Sequence, residues 1–351
     1  MKTMVQTDFR AIVQSEYGAP EKVLKMAKRQ LKSDKLGADE ALVKVITRPI
    51  HVGDVHILEA LPQGGPVAPI LEGTLRTPGF EGVGTIVRLG TGSNAAKRFF
   101  EGQRVAFFPA NGSWAEYVIV NQNSLLALPN EIPDQIAAQM LINTITASFL
   151  IRTGHNSIKP PITPPVYILQ NAAASAVGRL LTQIAFDRGV RPIRLVRSLQ
   201  SAEKLNSDLR GAPVISTSDS NWKKQVRDAL EGHKLEVAFD ALGGKAIDDL
   251  AEVVDEGATI INFGSLESNT GTNIFSLASN NVALRSIHLG SWFRLSESEK
   301  QKDFELALNL ARNHPALFQV AYEFEFDDFQ KAIRHVFTPG KAGIVLLKSP
   351  K

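Results

Sequence analysis

The chain has 351 residues, too many for one ordinary core, so two domains are expected. Hydrophobic residues make up 44% and charged residues 21%, an ordinary globular composition, and a net charge of +3 from scattered basic residues gives no support to a nucleic-acid or membrane-surface role. The absence of cysteine excludes disulfides, thiol nucleophiles, Cys-rich zinc sites and iron–sulfur clusters.

Along the chain, residues 8–16 and 38–48 read as strands, with β-branched residues and alternation. Residues 77–92, "TPGFEGVGTIVRLGTG", are strand-like and broken by glycines, as in small twisted or barrel-like sheets. Residues 101–120 give two strands joined by "PANGSW". The period then changes: 132–154 predicts a helix, with Asp134 as its cap and Gly154 at its end. After the Pro-rich "NSIKPPITPP" the texture alternates. Strands are expected at "VYILQN", "RPIRLVRS", "APVIST", "LEVAFDAL", "GATIINFGS" and "LRSIHLGSW". Helices are expected at "SAVGRLLTQIAFDRG", 201–210, 219–231 and 245–253. That is the β-α-β order of a doubly wound parallel sheet. A long polar-faced helix at 297–314 follows, and the tail "FEFDDFQKAIRHVFTPGKAGIVLLK" adds a helix and a strand expected to rejoin the first domain. No apolar run is long enough to cross a bilayer, and "MKTMVQTDFRAIVQSEYGAP" holds no stretch of signal-peptide type. A cytoplasmic location is expected, or the mitochondrial matrix if the chain is a processed form.

The segment "ILQNAAASAVGRLLTQIAFDRGVRPIRLVRS" (168–198) has the form of a nucleotide-binding strand–turn–helix–strand. Counted back from Gly178, the three fingerprint glycines fall on Ala173, Ser175 and Gly178. Only the one needed for close helix–strand packing is glycine. Ala and Ser are the smallest substitutes, and the amides of Ala174, Ser175, Ala176, Val177 and Gly178 at a helix N-terminus can still receive phosphate. An NAD site would place Asp or Glu at the end of the next strand. Here stand Arg197 and Ser198, a cation and a hydroxyl suited to the 2′-phosphate of NADP, with Arg194 as a further helper. The same residues would also serve a buried βαβ unit with no cofactor.

These residues, with "YGAPEKVL" (17–24), "PGFEGVGTIVRLG" (78–90), "GQRVAFF" (102–108), "GSWAEYVIV" (112–120), "FDALGG" (239–244) and "GKAGIVLLK" (340–348), resemble the medium-chain dehydrogenase/reductase superfamily over nearly the whole chain. "ILQNAAASAVGRLLTQIA", "IRLVRS" and "GSWF" (290–293) are most similar to the mitochondrial-type enoyl thioester reductases. The resemblance implies an α/β protein: a GroES-like β-rich catalytic domain at 1–142 and 312–351, and a Rossmann domain at 143–311, with the active site in the cleft between them. It implies NADPH as cofactor, a small-molecule acceptor and a homodimer. The superfamily's alcohol dehydrogenases hold a catalytic zinc with Cys and His. Phe80 stands in place of that histidine and there is no cysteine, so no metal is expected.

What remains is hydride transfer to an activated C=C bond, in a 2-enoyl thioester or an enone. A quinone is the alternative acceptor, and an NADPH-binding protein without catalysis the second alternative. An oxyanion donor and a proton source are needed. The thioester reductases carry a tyrosine shortly after an "NPSD"-like segment. Here that segment is "HVGD" (51–54), and none of the four tyrosines follows it closely. His51 and His56 are the nearest groups able to donate a proton, and water is a further source. The resemblance puts Asn143 and Thr146 near the nicotinamide, Phe263 and Gly264 in a loop facing the cofactor, and Trp292 on the substrate pocket; packing roles are the alternative for each. Residues 61–76 are expected to form a loop over the substrate cleft.

Overall fold

A computed structural model describes residues 6–32, 36–61, 68–90, 98–162, 164–266 and 271–350. It divides into two units, one of Met1–Ile142 with Phe304–Lys351 and one of Asn143–Asp303. The sequence reading put the second boundary at 311/312 instead.

The first unit opens with a hairpin of β1 (Gln6–Gln14) and β2 (Leu24–Lys32), the second strand of which no sequence signal had marked. Its main sheet contains β3 (Glu40–Ile50), β4 (Gly82–Leu89), β5 (Arg104–Phe107), β6 (Tyr117–Asn121) and β7 (Leu125–Ala127). The tail returns to it with β14 (Val320–Glu325) and β15 (Ile344–Lys348), in the order β14-β15-β3-β4-β5-β7, with β6 also on β3. β4 runs beside β3 so closely that a Cβ on Gly84 would lie 2.3 Å from the Lys44 carbonyl oxygen, which is why this strand carries glycines. Arg48 of β3 is wholly buried; its guanidinium donates to the carbonyls of Ser113, Ala115 and Leu347 and packs over Phe326. Burial pushes it down to about 9.

The second unit holds β8 (Tyr167–Gln170), β9 (Arg191–Val196), β10 (Val214–Ser216), β11 (Val237–Asp240), β12 (Thr259–Asn262) and β13 (Ala283–Ser286). All their pairings are parallel, in the order β10-β9-β8-β11-β12-β13. That is the Rossmann order, with its switch point between β8 and β11. The central strands β8 and β11 are buried along their whole length, as apolar runs such as "VAFD" require, whereas the edge strand β13 is exposed. No helix among the described residues is long and apolar enough to cross a membrane.

The helices are short except two. They are α1 (Pro20–Val23), α2 (Val52–Leu58), α3 (Asp134–Ala137), α4 (Met140–His155), α5 (Ala176–Asp187), α6 (Leu199–Asp208), α7 (Trp222–Ala229), α8 (Lys245–Ala251), α9 (Ile274–Ser279), α10 (Glu297–Asn313) and α11 (Phe329–Val336). The single helix expected over 132–154 is thus broken between Ala137 and Met140. Asp134 is not a cap: it lies inside α3, and its carboxylate accepts from Arg104 Nε at 2.7 Å. Gly154 does not end α4 but lies within it, because a Cβ there would come within 2.7 Å of the Phe239 ring. Close packing, not helix termination, explains that glycine. α2, over "VGDVHIL", and α9 carry no marked sequence signal, being six or seven residues long.

Candidate functional site

At the switch point of the second unit, β8 ends in Gln170 and the chain turns through Ala172, whose φ is +47°. The left-handed residue of the turn is therefore Ala172, one position before the alanine that counting from Gly178 singles out. An alanine there stores about 1 kcal/mol of strain. α5 then begins at Ala176, capped by Ser175, whose hydroxyl accepts the Gly178 N–H at 3.1 Å. A Cβ on Gly178 would stand 2.7 Å from the Ala172 carbonyl oxygen, so glycine is needed for the helix to lie against the turn. Ala174 is exposed, and Ser175, Ala176 and Val177 are half-buried.

β9 ends at Val196. Arg197 follows, exposed, with no ion pair among the described residues. Ser198 caps α6, accepting the Ser201 N–H at 3.2 Å. Its hydroxyl is thereby committed in part to the helix. Arg194 is not a helper to Arg197. It is 0% exposed, and its guanidinium donates to the carbonyls of Leu209 and Ala212. Arg194 lies buried within β9, whereas Arg197 lies beyond the strand's end and is exposed.

The strand ends are tied by a buried carboxylate that sequence reading passed over. Asp240, 0% exposed, accepts from Asn171 Nδ2 (2.5 Å), the backbone N–H groups of Leu242 (3.1 Å) and Gly243 (3.0 Å), and Asn262 Nδ2 (2.6 Å). Asn262 also donates to the Gly264 carbonyl at 2.7 Å, and the Phe263 N–H donates to the Asp240 carbonyl at 2.9 Å. The loop carrying Phe263 and Gly264 is thus fixed from β8, β11 and β12. The "FDALGG" segment contained the signal, an acid ending an apolar strand before two glycines.

Asn143 and Thr146 stand three residues apart on α4, on one face, the first buried and the second half-buried. Trp292 is 2% exposed and donates its indole N–H to Asp303 at 2.8 Å. Asp303 also takes Ser148 Oγ (2.8 Å) and both terminal nitrogens of Arg152 (2.6 and 3.0 Å). Trp292 is therefore a packed and anchored side chain. Its neighbour Phe293, 48% exposed, is the more open aromatic of that segment.

In the first unit the two histidines part company. His51 precedes α2, and its backbone N–H donates to Asp54 Oδ2 at 2.8 Å, which fastens the first turn. Its Nε2 lies 2.9 Å from Oε2 of Glu81, a carboxylate with no side-chain exposure. Glu81 Oε1 accepts the N–H groups of Leu141 (2.6 Å) and Ile142 (2.9 Å), in the first turn of α4. Burial works against a charged His51 ring, but the hydrogen bond and charge of Glu81, with the charge of Asp54, outweigh it and raise its pKa. Asp54, buried, is pushed up to about 6 by desolvation. Lys341 acts on His51 in the opposite sense. His56 is half-buried on α2, its pKa lowered by burial, and its ring has no hydrogen-bond partner among the described residues. Nothing brings it to His51.

The same unit contains a cavity of about 470 Å³, lined by Ile57, Ile70, Leu71 and Phe80 among others, with Tyr17, Thr74 and Arg76 as its polar members. That volume suits a small ligand, for which about 300–1,000 Å³ is usual. The Tyr17 hydroxyl donates to the Ala68 carbonyl at 2.5 Å and accepts from Arg76 at 3.3 Å. Of the loop expected at 61–76, residues 62–67 lie outside those described.

Two family models match the chain: the alcohol dehydrogenase GroES-like domain at residues 37–130, and the zinc-binding dehydrogenase model at 176–313. A mitochondrial enoyl-[acyl-carrier-protein] reductase of Caenorhabditis elegans is 29% identical over 298 residues, covering 82% of this chain and 80% of that protein. A putative NADPH:quinone reductase from Bacillus thuringiensis superposes with a TM-score of 0.83 at 25% identity, over 98% of this chain and all of that one. The complex of Etr1p with NADP and crotonyl-CoA shares the fold, with a TM-score of 0.80 at 17% identity over 97% of this chain and all of that one. The second model is named for zinc. Cysteine is absent, Phe80 offers no ligand, and no group of three or more His, Asp or Glu residues that could hold a metal exists among the described residues.

Proposed function

The chain belongs to the medium-chain dehydrogenase/reductase superfamily, and on that footing we propose that it is an NADPH-dependent reductase of an activated carbon–carbon double bond, in a 2-enoyl thioester or an enone. The observation that carries the cofactor half is Arg197: an exposed cation without an ion partner among the described residues, at the strand end where an NAD site needs an acid. The α5 N-terminus, capped by Ser175 and seated by Gly178, would take the pyrophosphate, and the loop of Phe263 and Gly264 would border the nicotinamide with Asn143 and Thr146. When bound, NADPH supplies the hydride for the β-carbon of the acceptor.

The chain's own residues supply the rest. His51 is the proton donor to the α-carbon, favoured over His56 because Glu81 and Asp54 support a protonated ring there, whereas burial alone acts on His56. The cavity beside Phe80 receives the apolar part of the acceptor. Trp292 supports the substrate region from its anchored position on Asp303. The curated relatives are mitochondrial by name, which favours the matrix over the cytoplasm.

The second acceptor class, a quinone, is favoured by the likeness to the NADPH:quinone reductase structure and by the missing tyrosine. One assay separates the readings. NADPH and NADH oxidation would be followed in parallel against crotonyl-CoA, a long-chain enoyl-CoA and a simple quinone. Turnover of the thioesters with NADPH is expected. Turnover of the quinone alone would replace the main reading by the second. Tight NADPH binding with no turnover of any acceptor would count against both.

We further propose a homodimer, formed through the β13 edge of the Rossmann sheet. β13 is exposed along its length, Leu284 on it is 40% exposed, and nearby Ile274 and Phe275 are 71% and 75% exposed. An uncovered edge strand with apolar side chains invites pairing with a second copy.

A further inference from the structure

Glu81 is a buried carboxylate whose surroundings are donors. Two are backbone N–H groups of the first turn of α4, where the helix dipole favours negative charge. The third is the His51 ring, 2.9 Å away. A carboxylate that accepts two N–H groups is set up as an acceptor, and a proton on His51 Nε2 would complete its donor set. The charged groups acting on the ring are Glu81 and Asp54, which favour its protonation, and Lys341, which opposes it; Arg76 acts on Asp54.

We propose that Glu81 is a positioning residue of the reduction: it holds the His51 ring with its proton on Nε2 and ties that ring to the first turn of α4. The inference rests on the reading of His51 as proton donor. In the step served, the acceptor has gained a hydride at its β-carbon and holds the displaced electron pair over the α-carbon and carbonyl oxygen. A proton passes from protonated His51 to the α-carbon, one N–H bond breaking as one C–H bond forms. The ring is left neutral, its Nε2–H still on Glu81, and regains a proton from water. In sum, one enoyl compound, one NADPH and one proton give the saturated compound and NADP⁺.

The decisive variant is Glu81→Gln. Its amide oxygen can still accept the Leu141 and Ile142 N–H groups, but its NH₂ can only donate towards His51. The ring must then carry its remaining proton on Nδ1. ¹⁵N NMR titration of His51 in both proteins reads this without turnover. We expect the pKa of His51 to fall by about one unit or more, and the protonated nitrogen of the neutral ring to change from Nε2 to Nδ1. The alkaline limb of the kcat–pH profile should move down by the same interval, with kcat about tenfold lower above that limb and KM for the acceptor unchanged. An unchanged His51 pKa and tautomer in the variant would overturn the role of Glu81. The parent reading fails separately, if His51→Gln keeps the wild-type kcat. Should Glu81→Gln not fold, the wild-type titration decides alone: a neutral ring carrying its proton on Nδ1 would sink the proposal, and Nε2 protonation with a raised pKa would support it.

Discussion

Arg197 and Asp54 show what single residues contribute. Arg197 has no ion pair to lose among the described residues, so its replacement should leave the fold intact. Arg197→Glu is expected to raise the KM for NADPH by about 10- to 100-fold, one to three kcal/mol of charge-assisted binding, and to leave that for NADH nearly unchanged. Unchanged NADPH binding by titration would refute the phosphate assignment. Asp54 makes a prediction about stability. Its folded pKa, about 6, lies above the ordinary carboxylate value, so its stabilising share is complete in acid and is lost as the pH rises through 6. Asp54→Asn mimics the protonated acid and can still accept the His51 N–H. The variant should match the wild type in denaturant unfolding near pH 4 and exceed it by about 2 kcal/mol near pH 8. A gap independent of pH would mean that burial of Asp54 has no such cost.

At the scale of the element, the turn from β8 into α5 separates two small residues that look alike in sequence. Ala172 is strained in φ, and Gly178 is tight in space. Ala172→Gly should therefore be tolerated, shifting stability by about 1 kcal/mol at most, because relief of φ strain offsets the entropy gained by the unfolded chain. Gly178→Val should cost about 3 kcal/mol or more and release NADPH, because its Cβ meets backbone that cannot move without dislodging α5. Thermal unfolding and cofactor fluorescence would show it. Near-equal effects of the two changes would mean the turn is softer than its geometry. The same logic explains the misread helix: Gly154 looks like a terminator in one dimension, and is a packing residue against Phe239 in three.

For the molecule as a whole, the β13 edge of the Rossmann sheet is the feature with consequences. If two copies pair along β13, Leu284→Lys should shift the mass by light scattering from dimer to monomer, with each monomer still folded by circular dichroism. A wild-type monomer at micromolar concentration would end the idea. The assembly would also stabilise the second unit, since Ile274, Phe275 and Leu284 now face solvent.

The strand–helix alternation, the Pro-rich change of texture and the landmark segments sufficed for the α/β class and the family, because burial patterns and turn residues are local properties of the chain. The landmark "FEGVG" even included Glu81, and "HVGD" included His51 and Asp54. Their meeting was not legible. Thirty residues separate His51 from Glu81, and sixty separate Glu81 from the Leu141 amide it accepts. Only the pairing of β3 with β4 and the break before α4 bring them together. Likewise Arg194 reads as a phosphate ligand beside Arg197 until its burial within β9 and the carbonyls of Leu209 and Ala212 draw it inward. Residue types and periods are written along the chain, but a hydrogen bond between distant residues exists only once the sheet has set their distance.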